Sequence, residues 1–112
     1  MEEKLTFFCN NMHQNHYLFE LTKLCGYSEM FIILKTFTLN DLLSYIKKLL
    51  QNQNIQIFVT DGFQNRCFLK ESDCIIGDFI RTNPSFFKPI YNLPCQVVYR
   101  VYVDDGHCHQ HV

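Results

Sequence analysis

Six cysteines and five histidines are the residues from which this chain could build chemistry. The tail "HCHQHV" offers His107, Cys108, His109 and His111, and the early run "CNNMHQNH" adds Cys9, His13 and His16. Four such nitrogen and sulfur donors are enough to close a tetrahedral zinc site. Zinc modules usually combine two tight knuckles, such as C-x2-C with H-x3-H, however; His107 and His111 have the second spacing, but neither run contains the first. The expectation is therefore histidine-bearing chain ends and no metal. Cysteine nucleophile chemistry could be drawn from Cys67 or Cys74 with a histidine and Asp61 or Asp78. It lacks what lowers a thiol pKa, since neither cysteine opens a helix or neighbours a base. All the histidines lie in the end segments, away from both thiols. The glycines (26, 62, 77 and 106) are isolated, so no phosphate-cradling loop is present and no cofactor is expected. On these residues no enzyme is expected, the alternative being a small metal-binding factor or enzyme that uses the Cys and His residues of the chain ends.

The elements that surround these residues are better defined than the chemistry. A length of 112 residues with 47% hydrophobic and 15% aromatic content supports one packed domain, not a disordered chain. A net charge of -1 argues against direct, generic nucleic-acid binding. No stretch approaches the ~20 apolar residues of a membrane helix. The acidic start Met-Glu-Glu-Lys lacks the basic-then-apolar order of an export signal. An even cysteine count would suit disulfides in a secreted miniprotein, but without that signal the cysteines are read as free thiols in an intracellular, reducing compartment.

The period of "LNDLLSYIKKLLQ" predicts a helix over 39–51, with Leu39, Leu42, Leu43, Ile46, Leu49 and Leu50 on one face. Thr38 and Asp41 have the spacing of a capping box. Strands are predicted at 29–37, 54–62, 66–70 and 95–103, with a further one at 4–9. The segment 16–26 admits two readings. Tyr17, Phe19 and Leu21 alternate as a strand does, while Tyr17, Leu18, Leu21, Leu24 and Cys25 fit a helix closed by Gly26. The strand is preferred, because Gly26-Tyr27-Ser28 then turns a hairpin into 29–37.

A hairpin, an amphipathic helix that must bury its stripe on a sheet, and returning strands define an α+β chain. The arrangement is that of a ubiquitin-like β-grasp domain: a mixed sheet of four to five strands and one crossing helix, spanning 1–112 with irregular ends at about 1–15 and 104–112. In that frame "CFLKESDCIIGDFIRTN" (67–83) holds a short strand, then an excursion in which Ile75, Ile76, Phe79 and Ile80 close the core from below.

Over residues 30–83 the chain resembles one branch of this group, the amino-terminal domain of coilin. The likeness lies in "MFIILKTF", "DLLSYIKKL", "NIQIFVTDG", the Leu69-Lys70-Glu71-Ser72 step and "DFIRTN". Phe68 and Leu69 stand where that family's step carries two prolines, and "DCIIG" lengthens the segment after it. The resemblance implies a self-associating scaffold of nuclear ribonucleoprotein bodies, hence a nuclear location. It carries no catalytic residue.

Two surfaces are the candidate interaction sites. Strand 29–37 is an edge in this arrangement and is apolar on both phases, so either residues 4–9 pair with it or a second molecule does, with Phe31 and Ile33 as the contacts for another chain. The loop "NPSFFKPIYNLP" (83–94) carries Phe86, Phe87 and Tyr91, as either a lid on the core or a docking patch. The partner is expected to be another protein or a second copy, with no membrane involved.

Overall fold

The computed structural model describes residues 15–93 and 96–106; the expected strand at 4–9, most of the irregular ends, and Cys9, His13, His107, Cys108, His109 and His111 lie outside them. Within that range the chain forms β1 (His16–Lys23), β2 (Ser28–Leu34), α1 (Leu39–Leu50), β3 (Gln56–Thr60), β4 (Arg66–Phe68), α2 (Ile76–Thr82), β5 (Tyr91–Leu93) and β6 (Gln96–Asp104). Five strands lie in the order β2-β1-β6-β3-β4, and short β5 adds to β6. β1 runs parallel to β6, and every other pairing is antiparallel. This mixed α+β sheet has the β-grasp arrangement. It carries two helices, because part of the 67–83 excursion closes into α2. The segment 16–26 is a strand and a turn: Lys23 N–H bonds to Tyr27 O at 2.8 Å, and Gly26 takes φ +105° between β1 and β2.

Strand alternation divides the sheet cleanly. Phe19 and Leu21 of β1, Phe31 and Ile33 of β2, Ile57 and Val59 of β3, and Val101 and Val103 of β6 share the face under α1. Register partners Phe19 and Phe31 stack with centroids 5.7 Å apart. α1 covers this face with Leu39, Leu42, Leu43 and Ile46. Two residues expected in the core are not there. Leu49, on the margin of the helical stripe, is 38% exposed, and Ile75, which precedes α2, is 43% exposed. Ile76 is fully buried, with Phe79 and Ile80 packed against the same core.

The first four N–H groups of a helix have no intrahelical acceptor. At the start of α1 they find acceptors elsewhere. Thr38 N–H bonds to Asp41 Oδ2 (3.0 Å) and Asp41 N–H to Thr38 Oγ1 (3.2 Å), closing the capping box. Leu39 N–H reaches Cys74 O (2.9 Å) and Asn40 N–H reaches Ser72 O (3.1 Å). The 67–83 stretch thus runs across the start of α1 because that start requires acceptors. Asn40 returns the contact, its Oδ1 accepting from Ser72 N–H at 2.8 Å. At the far end Gln51 takes the left-handed conformation (φ 55°), and Asn52 N–H bonds back to Lys47 O.

Gly77 is a position of close approach. A Cβ there would meet the Tyr17 hydroxyl at 3.0 Å, so the bare backbone lets α2 sit against β1.

Ile46 is fully buried, whereas Lys47 lies on the flank of α1. Ile46→Asp strands a charge against the sheet and should cost about 4 kcal/mol or more, enough to unfold a domain of ordinary stability. Lys47→Asp places an acid at the negative end of the helix dipole and should cost under about 1 kcal/mol. Urea denaturation of both variants checks this; equal tolerance would contradict α1 packing on the sheet.

Candidate interaction surfaces

β2 ends the sheet, and among the described residues no strand pairs its far side. Phe31 and Ile33, expected to face a partner, are core residues instead. They are 5% and 1% exposed, and Phe31 lies between Phe19 and Tyr45. An edge strand still has one side-chain phase under the helix, and these two residues occupy it. The phase that meets solvent holds Met30 (48% exposed), half-buried Ile32 and Leu34 (44% exposed). β2 also stops at Leu34, with Lys35-Thr36 turning the chain toward α1.

The 83–94 segment is built as a lid. Pro84–Phe86 form a 3-10 turn, Ile90 N–H bonds to Val98 O at 2.8 Å, and β5 follows with Tyr91 registered on Val98. Phe87 is buried, with its ring edge-on to Phe79 and Tyr99 at 5.7 and 5.9 Å. Phe86 is half-buried against the same cluster. The two phenylalanines are therefore spent on the core, and Tyr91 belongs to a strand. Burial raises the pKa of Tyr99 beneath the lid, and Tyr17 adds to the effect.

Metal and thiol chemistry gain no support from the described residues. No three His, Cys, Asp or Glu side chains gather there, and no helix is long and apolar enough to cross a membrane. His16 stands at the start of β1, with Nδ1 buried and unpartnered. Cys67 lies in β4 and Cys74 before α2, both half-buried thiols. Asp78 pairs with Arg81.

The sheet face opposite α1 is the surface that the sequence reading passed over. It carries a ladder of rings: Phe58 stacks on Tyr102 (5.4 Å, 14°) and tilts against Phe68 (5.3 Å). Arg66 lies over Phe58, its guanidinium carbon 4.5 Å from the ring centroid. Glu20 of β1 and Arg100 of β6 are register partners here, joined by Arg100 Nε and Nη2 to Glu20 Oε1 at 2.8 and 2.6 Å. Tyr102 and then Glu20 hold the Arg100 pKa above its ordinary value against the opposing effect of burial. A signal was present in the sequence. Phe58 sits on the solvent phase of its strand between Gln56 and Thr60, and Tyr102 follows Arg100 on the same phase.

The β3–β4 loop beside this ladder is organised by Asp61. Its Oδ1 accepts from Phe63 N–H (2.9 Å) and its Oδ2 from the Asn65 amide (2.7 Å). These bonds, Asn65 first, hold the Asp61 carboxyl below its usual pKa. A carboxylate with a depressed folded pKa contributes order that is complete above the free-chain value and is lost as pH falls through the folded one. The Phe63 amide resonance should therefore titrate with a midpoint below about pH 4, the value for an unstructured aspartate. Asp61→Asn should abolish the step. A midpoint at or above the free value would contradict this loop geometry.

Compared with known proteins, the chain matches no family model and no curated sequence.

Proposed function

We propose that this chain is a non-enzymatic protein–protein interaction domain that associates with a second copy of itself by strand addition along β2. The observation that carries this reading is the self-complementarity of the β2 edge, whose far side no other strand pairs among the described residues. An antiparallel two-fold pairing centred on Ile32 sets Met30 against Leu34, and Glu29 opposite Lys35 one residue past the strand's end, on both sides of the junction. Met30 and Leu34 are the exposed apolar residues of the strand, and strand addition supplies partners for the edge amides and carbonyls. Resemblance to coilin supports the same reading, and with it an intracellular scaffold role in nuclear ribonucleoprotein bodies.

The test is absolute mass in solution across a concentration series. Wild type should reach twice the monomer mass. Glu29→Lys and Lys35→Glu each place like charges opposite one another and should shift the midpoint to higher concentration by about tenfold, two such pairs at roughly 0.7 kcal/mol each. The double variant restores opposite charges and should recover most of the loss. A wild type that stays monomeric at high concentration, or a double variant weaker than either single one, would remove this pairing. If an extended segment of another protein occupies the edge, Met30→Lys with Leu34→Lys should abolish that binding without any dimer in wild type.

A further inference from the structure

The outer face carries a second site, at the opposite end of the sheet from β2. Where β3 passes into β4, a hollow of about 480 Å³ opens beside the aromatic ladder. That volume is within the range of ligand pockets, roughly 300–1,000 Å³. Phe58 and Tyr102 form its floor, and Phe63, Gln64 and Arg66 its rim. Three features of this hollow point toward a ligand.

The first is Phe63. At 82% exposure it is the most solvent-exposed of the described large apolar side chains. Flexibility does not account for it, because Asp61 accepts from its N–H and from Asn65, and Thr60 Oγ1 accepts from Gly62 N–H at 3.2 Å. Gly62 takes φ +88°, a conformation that side-chain-bearing residues rarely adopt, so the loop commits backbone to this shape. A pre-ordered loop that holds a phenylalanine in water has already met the ordering cost of a binding anchor.

The second is Arg66. Its stacking on Phe58 fixes the guanidinium plane and, among the described residues, no carboxylate pairs with it. A stacked arginine keeps its edge donors for a planar, two-oxygen acceptor. The third is the charge balance. Among the described residues Arg66 is the one charged group lining the hollow, and the nearby Arg100 is already paired with Glu20. A nucleic-acid strand draws its affinity from several phosphate contacts, which Arg66, even with Lys88 of the adjoining hollow, does not supply on a chain of net charge -1. One carboxylate beside one large apolar group matches what is present.

We propose that this hollow binds a peptide segment of another protein, seating one aromatic or large aliphatic side chain against Phe63 and Tyr102, with Phe58 buried beneath Arg66 as its support and a neighbouring Asp or Glu carboxylate on Arg66. The site is independent of β2 pairing. Phe63 serves as the anchor, and Arg66 sets the preference for acidic sequence.

The experiment is selection of a random displayed peptide library on the full chain, followed by titration of the synthetic consensus peptide into isotope-labelled protein. The expected consensus pairs a large apolar residue with an acidic one within two positions, and its resonance shifts centre on Phe58, Phe63, Arg66 and Tyr102. Phe63→Ser removes a solvated side chain and leaves the fold intact, so its unchanged spectrum elsewhere validates the comparison. It should weaken the consensus peptide by about tenfold or more, as should Arg66→Gln. Met30→Lys with Leu34→Lys should leave the peptide affinity unchanged, which separates this site from the edge. No enrichment over the Phe63→Ser protein would overturn the proposal, as would a basic consensus or shifts confined to β2. A single-stranded oligonucleotide that moves the same resonances more tightly than the peptide would overturn it in favour of base stacking.

Discussion

The structure depends on the parallel alignment of β1 with β6. These strands form the middle of the sheet, yet Glu20 and Arg100, which face each other across them, are 80 positions apart in sequence. A parallel pair cannot be joined by a tight turn, so everything between must fold into a connection that returns in the same direction. The hairpin partner β2, the crossing helix α1 and the β3–β4 hairpin are that connection. The junction is secured at its far end as well, where Lys23 Nζ meets Asp105 Oδ2 at 3.2 Å and Leu24 N–H bonds to Val103 O. A largely buried ion pair contributes little net stability, but removing one partner leaves a costly unpaired charge. A one-residue slip of β6 would separate Glu20 from Arg100 and also turn Val101 and Val103 away from α1. Charge and packing therefore select the same register.

Much of this was legible in the sequence, for identifiable reasons. The stripe of α1 repeats with the helical period and its cap residues flank it, so local pattern and tertiary burial agree. Strands β3 and β6 alternate and end at Asp-Gly or Asp-Asp-Gly, which places both ends within about two residues. Phe31 and Ile33 were misread because pattern alone identifies an edge strand but not which of its two apolar phases the helix covers. Phe87 presents a related difficulty in a loop: "SFFKP" fits a lid or a docking patch by pattern, and only Phe79 and Tyr99 beneath it decide for the lid. The Phe58–Tyr102 ladder was missed for a different reason. Its members come from distant strands and meet only through the β3–β6 register, which no local window contains.

The two sheet faces have separate roles. Under α1 the side chains are aliphatic and aromatic, and the packing is closed. On the other face buried Leu18, Val98 and Phe58 alternate with the Glu20–Arg100 pair and the rings that flank it. The exposed apolar side chains Met30 and Leu34 of β2 and Phe63 of the β3–β4 loop lie at the margins of the sheet, β2 on one side and the loop on the other. The centre of the sheet is thereby left to stability, and the edges can change with little cost to the fold.

The bonding at the start of α1 gives the domain an internal seam. Leu39 and Asn40 donate to Cys74 and Ser72, and Ile76 N–H donates to Phe37 O, so the first helical turn and the strip from 72 to 76 hold one another's backbone groups. Neither can fray alone without leaving amides or carbonyls unpaired. Local opening is therefore an all-or-none event of two segments more than thirty residues apart, and the amides of Leu39, Asn40 and Ile76 should exchange with solvent as one cooperative unit. That unit also carries α2, whose Gly77 rests on Tyr17 of β1. When it lifts, the lower end of the core is uncovered while the central sheet stays paired, which makes this seam the natural first step of unfolding.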